Sequence, residues 1–193
     1  MKIIGIKNVN GMEMPQQVFL MADSAVIRTN KPFFIPHFAK SFHGNSAIVL
    51  HVDRLGKHIA PRFAHRYCHA IAPAVIVHPT GLDQVQQNEQ FSALATSFDG
   101  ALLLGESVVP ASENDINRAM VATTVGCDEQ EAMSLSSLGV DYRQLISRLS
   151  VYFTLKMGDM IVVELSSHDI SLHEGMTLEA SLNGTRQLVV RVK

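Results

Sequence analysis

A chain of 193 residues, 47% of them hydrophobic, can bury a sizeable core and falls within the range of a single domain. Its formal net charge of -2 excludes the basic footprint of a protein that binds nucleic acid or an acidic membrane surface. Two cysteines, Cys68 and Cys127, make no disulfide framework; with no signal-peptide pattern and no apolar run of membrane-spanning length, a soluble cytoplasmic protein is expected.

In chain order, Lys2 to Ile6 reads as a strand, and the Asn-Gly and Pro content of Lys7 to Gln17 reads as a loop. Val18 to Met21 and Ala25 to Ile27 are short strands around Asp23, and Phe33 to Pro36 is an apolar segment suited to a sheet edge. The organising stretch runs from Phe42 to Asp83. Ala47 to Val52 is too short for a comfortable helix and reads as a buried strand, as does Ile71 to Val77, which stops at His78-Pro79-Thr80-Gly81.

Between them, Ile59 to Ala70 is helical in pattern, with Pro61 near its start. That helix would carry His65 and His69 on one face, the one arrangement suggestive of a transition-metal site. Arg66 stands where a His-Glu-x-x-His motif needs its Glu, and a cation there opposes a divalent ion, so surface and packing roles are the expectation.

Further along, Asp83 to Phe91 is polar helix or loop, Ala101 to Val109 a strand, Pro110 to Asn117 a turn region and Met120 to Val125 a strand. Tyr142, Leu145, Ile146, Leu149, Tyr152 and Phe153 recur at helical spacing within Asp141 to Phe153, which predicts a core helix. Met160 to Glu164 is a strand, and Met176 to Leu182 and Leu188 to Val192 form a hairpin through Asn183-Gly184. Ser166, His168 and Asp169 are too close in sequence to set nucleophile, base and acid at mutual bonding distance, and no Gly-x-Ser-x-Gly elbow occurs.

His43 to Lys57, continuing through Phe63-Ala64-His65-Arg66-Tyr67, resembles the core signature of the fumarylacetoacetate hydrolase family, which usually reads His-Tyr-Glu-x-Glu-Leu here. Phe19 to Ala25, Asn30 to Pro36, Ser97 to Ala101 and Phe153 to Asp159 extend the resemblance over nearly the whole chain. It implies one domain over 1-193, an α+β fold built as a mixed β-sandwich roll with mostly strands and few helices, and homodimers.

With His43 in register, the resemblance places Asn45 and Ala47 on the two metal-binding Glu positions and Ile76 on the metal-binding Asp position. Met21-Ala22 replaces a Lys-Pro pair, and Thr96 takes the place of a Lys. Val163 to Asp169 runs where the family has a substrate-holding Gly-Thr-Pro loop. Asn8 alone matches an early family motif, and Glu13 is a poor candidate for the family's lid base.

Family enzymes hold Mg2+ or Mn2+ through hard oxygen donors, polarise a 1,3-dicarbonyl-like acid and stabilise an enolate as a carbon-carbon bond breaks. Without the carboxylates, the expected reading is a pseudoenzyme with no metal cofactor. It would be a scaffold, a regulatory partner of an active family relative, or a small-molecule binder, with a vestigial pocket of His43, Asn45, His78, Thr96 and Ser166. One alternative is a metal-dependent hydrolase or decarboxylase of an acylpyruvate-like 2-oxo acid, drawing oxygen donors from Asp23, Asp53, Asp83, Asp99 and Glu164. Another is a metal-free enzyme working through His43, Asn45, His78 and Ser166.

Overall fold

The computed structural model describes residues 1–7, 17–82, 93–126, 128–165 and 168–193. Its frame is a large mixed sheet. Strands β1 (Ile3–Lys7), β2 (Gln17–Met21), β3 (Val26–Arg28), β4 (Ser41–Val52), β5 (Cys68–Thr80), β6 (Leu102–Leu104) and β9 (Met160–Glu164) align in the order β2-β1-β9-β4-β5-β6-β3. Strand β10 (Ile170–Leu172) pairs with the start of β4. A second sheet holds β7 (Val121–Val125), β8 (Asp128–Glu129), β11 (Thr177–Leu182) and β12 (Thr185–Arg191) in the order β12-β11-β7-β8. Helices α1 (Ala93–Thr96), α2 (Glu113–Arg118) and α3 (Tyr142–Tyr152), with short 3-10 helices at Asp23–Ala25, Pro61–Arg66 and Ser136–Leu138, complete the described elements. Mostly strands with few helices, this is the α+β roll expected.

Alternation along β4 divides the core. Its even-numbered residues Ile48, Leu50 and Val52 pack with Ile4 and Ile6 of β1 and with Leu145, Ile146 and Leu149 of α3. Phe42, on the same face, joins Val75 and Val77 in meeting Leu178, Leu188 and Val190 of the second sheet. The odd-numbered Ala47 and Val49 face the other way, into a cluster with Ala72, Ala74, Ile76, Leu102, Met160 and Val162. Burying each large aliphatic side chain contributes roughly 1.5–3 kcal/mol, so both faces of the central strands stabilise the fold. Parallel β1–β9 pairing within a sheet covered on both faces fits the near-continuous apolar reading of these strands.

The sheet curls so that its edges meet. Phe19 and Met21 of edge strand β2 pack in the same cluster as Leu102 and Leu104 of β6, and the Ala22 N–H donates to Ser97 Oγ at 3.1 Å. The curl requires Gly5: it stands opposite Phe19, and a Cβ there would lie 2.3 Å from the Phe19 ring.

Three sequence expectations are corrected. The helix predicted over Ile59 to Ala70 is a 3-10 helix, Pro61–Arg66, and the chain is extended from Cys68. Val52 pairs Cys68 and His51 pairs Ala70, which leaves His69 as the extra residue of a bulge. Pairing with β4 outweighs the helical spacing, so His65 and His69 never share a helix face. His69 instead pairs with Asp53, while His65 lies 3.9 Å from Glu113.

Second, the turn expected over Pro110 to Asn117 contains α2, whose start is marked by the Ser112 N–H donating to Asp115 Oδ2 at 3.0 Å. Third, the strand expected over Ala101 to Val109 is regular only for Leu102–Leu104. Beyond it the Gly105 N–H donates to the Pro73 carbonyl at 2.9 Å, a close approach that a Cβ at Gly105, 2.8 Å from that oxygen, would obstruct. Pro73 lacks an N–H to offer the ladder, and this contact accommodates it where β6 ends.

The helix predicted over Asp141 to Phe153 is α3, with Asp141 as its N-cap accepting from the Arg143 N–H. The hairpin turn at Asn183-Gly184 has both residues at positive φ, 51° and 77°, as a two-residue type I′ connection requires. The polar segment Asp83 to Phe91 lies outside the described residues.

Candidate functional site

The residues of interest converge on the face of the large sheet that carries Ala47 and Val49, at the end of that face where β4 begins. The register of three strands brings them together. His43 stands opposite His78 and Asn45 opposite Ile76 in the β4–β5 pair, and Ala47 stands opposite Glu164 in the β4–β9 pair. Antiparallel partners share a face, so His43, Asn45, Ala47, Ile76, His78 and Glu164 all point the same way. Lys7, one residue past the Ile6–Val163 pair of β1 and β9, joins them.

Glu164 is the hub. Its side chain is 4% exposed and its two oxygens are divided among three partners. Oε1 accepts from Asn45 Nδ2 at 3.2 Å and lies 3.3 Å from Lys7 Nζ; Oε2 lies 2.9 Å from His78 Nε2. Asn45 Nδ2 also donates to Asp169 Oδ1 at 2.9 Å, and the exposed Asp169 opens the cluster to solvent. Two carboxylates on Nδ2 fix the amide's orientation, since a carbonyl oxygen turned toward them would be repelled. Asn45 Oδ1 is buried and has no hydrogen-bond partner among the described residues.

Around this hub, His43 Nδ1 lies 3.3 Å from Ser171 Oγ and His43 Nε2 lies 3.4 Å from Ser41 Oγ. Gln130 holds the other side of β4: its Oε1 accepts from the Ser46 N–H at 2.9 Å, and its Nε2 donates to the carbonyls of Gly44 and His168. Ser46 Oγ in turn donates to Thr123 Oγ1 at 2.7 Å. Through Gln130 the start of β4 is tied to the chain that leads into Asp169.

Of the pocket residues expected from the sequence, His43, Asn45 and His78 are brought together. Thr96 ends α1 and its hydroxyl donates to the Leu20 carbonyl at 3.4 Å, on the β2 side of the roll. Ser166 lies outside the described residues, with Asn8, Glu13 and Asp83. Of the other candidate donors, Asp53 is at the far end of β4 with His69, Asp23 is exposed at the start of a 3-10 helix and Asp99 is exposed on a turn. Of the described candidate donors, only Glu164 stands on the site's face. Lys7, Gln130 and Asp169 were not foreseen as partners. The polar end to an apolar strand at Glu164 was the one local signal available.

A divalent magnesium or manganese ion calls for several anionic oxygens with room for water. At the three positions in question, Ala47 and Ile76 are 0% and 2% exposed within an apolar cluster, and Asn45 directs its nitrogen at the carboxylates. Glu164 is already paired with Lys7 and bonded to His78. Among the described residues no group of three or more His, Cys, Asp or Glu side chains is placed to hold a metal. This donor set does not fit such an ion.

The family model described as fumarylacetoacetate (FAA) hydrolase C-terminal matches residues 5–193. A sequence search of curated proteins gives no match. Solved structures similar to the chain include 5-carboxymethyl-2-hydroxymuconate delta-isomerase from Mycobacterium smegmatis, with a TM-score of 0.86, 20% identity and coverage of 99% of this chain and 78% of that one. Maleylpyruvate hydrolase from Sphingobium sp. SYK-6 superposes with a TM-score of 0.84 at 17% identity, over 99% of this chain and 70% of the other. Fumarylpyruvate hydrolase from Pseudomonas aeruginosa, in complex with Mn2+ and pyruvate, does so with a TM-score of 0.83 at 17% identity, over 100% and 89%. At these identities the superpositions establish a common fold, and the family match covers nearly the full length: the chain belongs to the fumarylacetoacetate hydrolase family.

Proposed function

We propose that this protein is a family member that does not carry out metal-dependent carbon-carbon cleavage, and that it serves as a cytoplasmic, homodimeric scaffold, regulatory partner or small-molecule binder. The observation that carries the reading is the pairing of Glu164 with Lys7, His78 and Asn45 on the face where Ala47 and Ile76 are apolar. An ammonium group held by the protein takes over the neutralising role that a bound cation would have. A metal entering this face would have to displace Lys7 from Glu164 and be desolvated against Ala47 and Ile76, at a cost of several kcal/mol.

The Pseudomonas aeruginosa relative is described with Mn2+ and pyruvate, which makes acylpyruvates the substrates to test. Purified protein is assayed for acylpyruvate hydrolysis with and without Mg2+ or Mn2+. The expected result is no turnover dependent on metal; metal-stimulated release of pyruvate overturns the reading.

One observation favours a second reading, proton transfer without a metal. Glu164 is buried and bonded to His78 Nε2, an arrangement that orients an imidazole as a general base. Isomerisation of a 2-hydroxymuconate-type acid in metal-free buffer, abolished by His78→Gln, distinguishes it from the first.

A further inference from the structure

A cleft lies away from the family pocket, where the segment after β3 runs alongside β12. We infer that this cleft is a binding site for a phosphate group, either free or carried by a small organic molecule. It measures about 290 Å3 and is lined by Asn30, Lys31, Pro32, Val189, Arg191 and Lys193. Three of those six side chains are cationic and none is acidic. Among the described residues, Lys31, Arg191 and Lys193 have no carboxylate partner within ion-pair distance, although the chain as a whole carries a formal net charge of -2. Three like charges on the lining of one cleft repel one another, and a dianion relieves that repulsion.

The walls are held by the backbone. The Asn30 N–H donates to the Val189 carbonyl at 2.8 Å, the Phe33 N–H to Arg191 at 2.9 Å and the Lys193 N–H to Phe33 at 2.8 Å. Thr29 Oγ1 accepts from the Val189 N–H at 3.0 Å. Asn30 at φ 64° makes the turn that leads into Lys31 and Pro32. On this lining the planar Arg191 guanidinium can donate in bidentate fashion to a tetrahedral dianion, with the lysines as point charges. Lys193 Nζ also lies 5.9 Å from the centre of the Phe34 ring, which is 64% exposed. An aromatic surface thus lies beside one of the cleft's cationic side chains.

Isothermal titration of the full chain with inorganic phosphate and, separately, with a nucleoside monophosphate tests the inference. Binding of both is expected, weakened about tenfold by Arg191→Gln and by Lys31→Gln with unchanged melting temperatures. Affinity should also fall several-fold between about 20 and 200 mM sodium chloride, because exposed charges are screened. Tighter binding of the nucleotide, reduced by Phe34→Ala, identifies the phosphate as part of an aromatic ligand; equal affinities identify the free ion. Absence of heat at about 10 mM of either compound overturns the site, as does binding that survives the Arg191→Gln, Lys31→Gln double variant.

Discussion

Ala47 and Glu164 face each other across the β4–β9 pair, so a carboxylate does reach this face of the sheet, but from a different strand and with its charge already matched by Lys7. That relationship distinguishes this face from one on which β4 and β5 themselves supply the carboxylates. Glu164 serves here as an internal counterion.

Glu164→Ala removes the shared acceptor of Lys7, His78 and Asn45. Losing one partner of a buried ion pair costs about 3–5 kcal/mol, and the partial exposure of Lys7 and His78 brings the expectation to about 2–3 kcal/mol. Urea unfolding measures it. A loss below about 0.5 kcal/mol, the level of an ordinary surface substitution, contradicts the role of Glu164 as hub.

Asp159 sets an acid limit on stability. Burial alone would raise its carboxyl, but the side-chain and backbone hydrogen bonds from Lys2 and the Lys156 N–H outweigh burial and hold it below its ordinary value of 3.8. A depressed folded-state pKa contributes stability that is present above the unfolded value and lost as pH falls through the folded one. Asp159→Asn is therefore expected to be less stable than the parent at neutral pH, with the difference narrowing as the pH is taken below 3.8. Denaturation midpoints of both proteins across that range give the answer; a constant difference contradicts the linkage.

Cys68 is buried at the start of β5 beside Val52 of β4, and its thiol is pushed up to about 12 by burial and by the nearby Asp53 carboxylate. The thiolate is the reactive form. In the native protein at about pH 8, iodoacetamide is expected to leave the Cys68 peptide unmodified, and to alkylate it once urea is added. Mass spectrometry of the digested protein reads both states, and native alkylation within minutes would contradict the burial.

Gly5→Ala drives a methyl group into the Phe19 ring, 2.3 Å from its nearest carbon. Overpacking of this kind costs about 1–3 kcal/mol. In a Phe19→Leu background the same substitution is expected to cost less, and the double-mutant cycle reports the coupling directly.

Much of this fold was legible because short-range signals agreed with tertiary pairing. The apolar runs at Ala47 to Val52 and Ile71 to Val77 lie within β4 and β5, the Asn183-Gly184 turn closes the last hairpin, and Leu145, Ile146 and Leu149 mark the buried stripe of α3. Ile59 to Ala70 misled because its apparent helical spacing competes with a strand that β4 pairs as far as Cys68. The start of α2 could have been read from Ser112 and Asp115, three residues apart ahead of an apolar Ile116.

The site was legible only in part. His43, Asn45 and His78 lie just beyond the runs Ala47 to Val52 and Ile71 to Val77 read from the sequence, on the longer β4 and β5, and their shared face follows from carrying the period of two outward. Lys7, Asn45 and Glu164 come from three strands that are neighbours only through the parallel β1–β9 and antiparallel β4–β9 pairings. No local pattern encodes a partnership between Asn45 and Glu164, 119 residues apart. Gln130, reaching under β4 to Ser46 and Gly44, is similarly a product of sheet-on-sheet packing.

The most direct test is a titration of the purified, metal-stripped protein with Mn2+, followed by electron paramagnetic resonance of the free ion. With Lys7 standing against Glu164, and with aliphatic groups at 47 and 76, the free-ion signal is expected to rise from the first addition as it does in buffer. One tightly held Mn2+ per chain, lost in Glu164→Gln, would contradict the account.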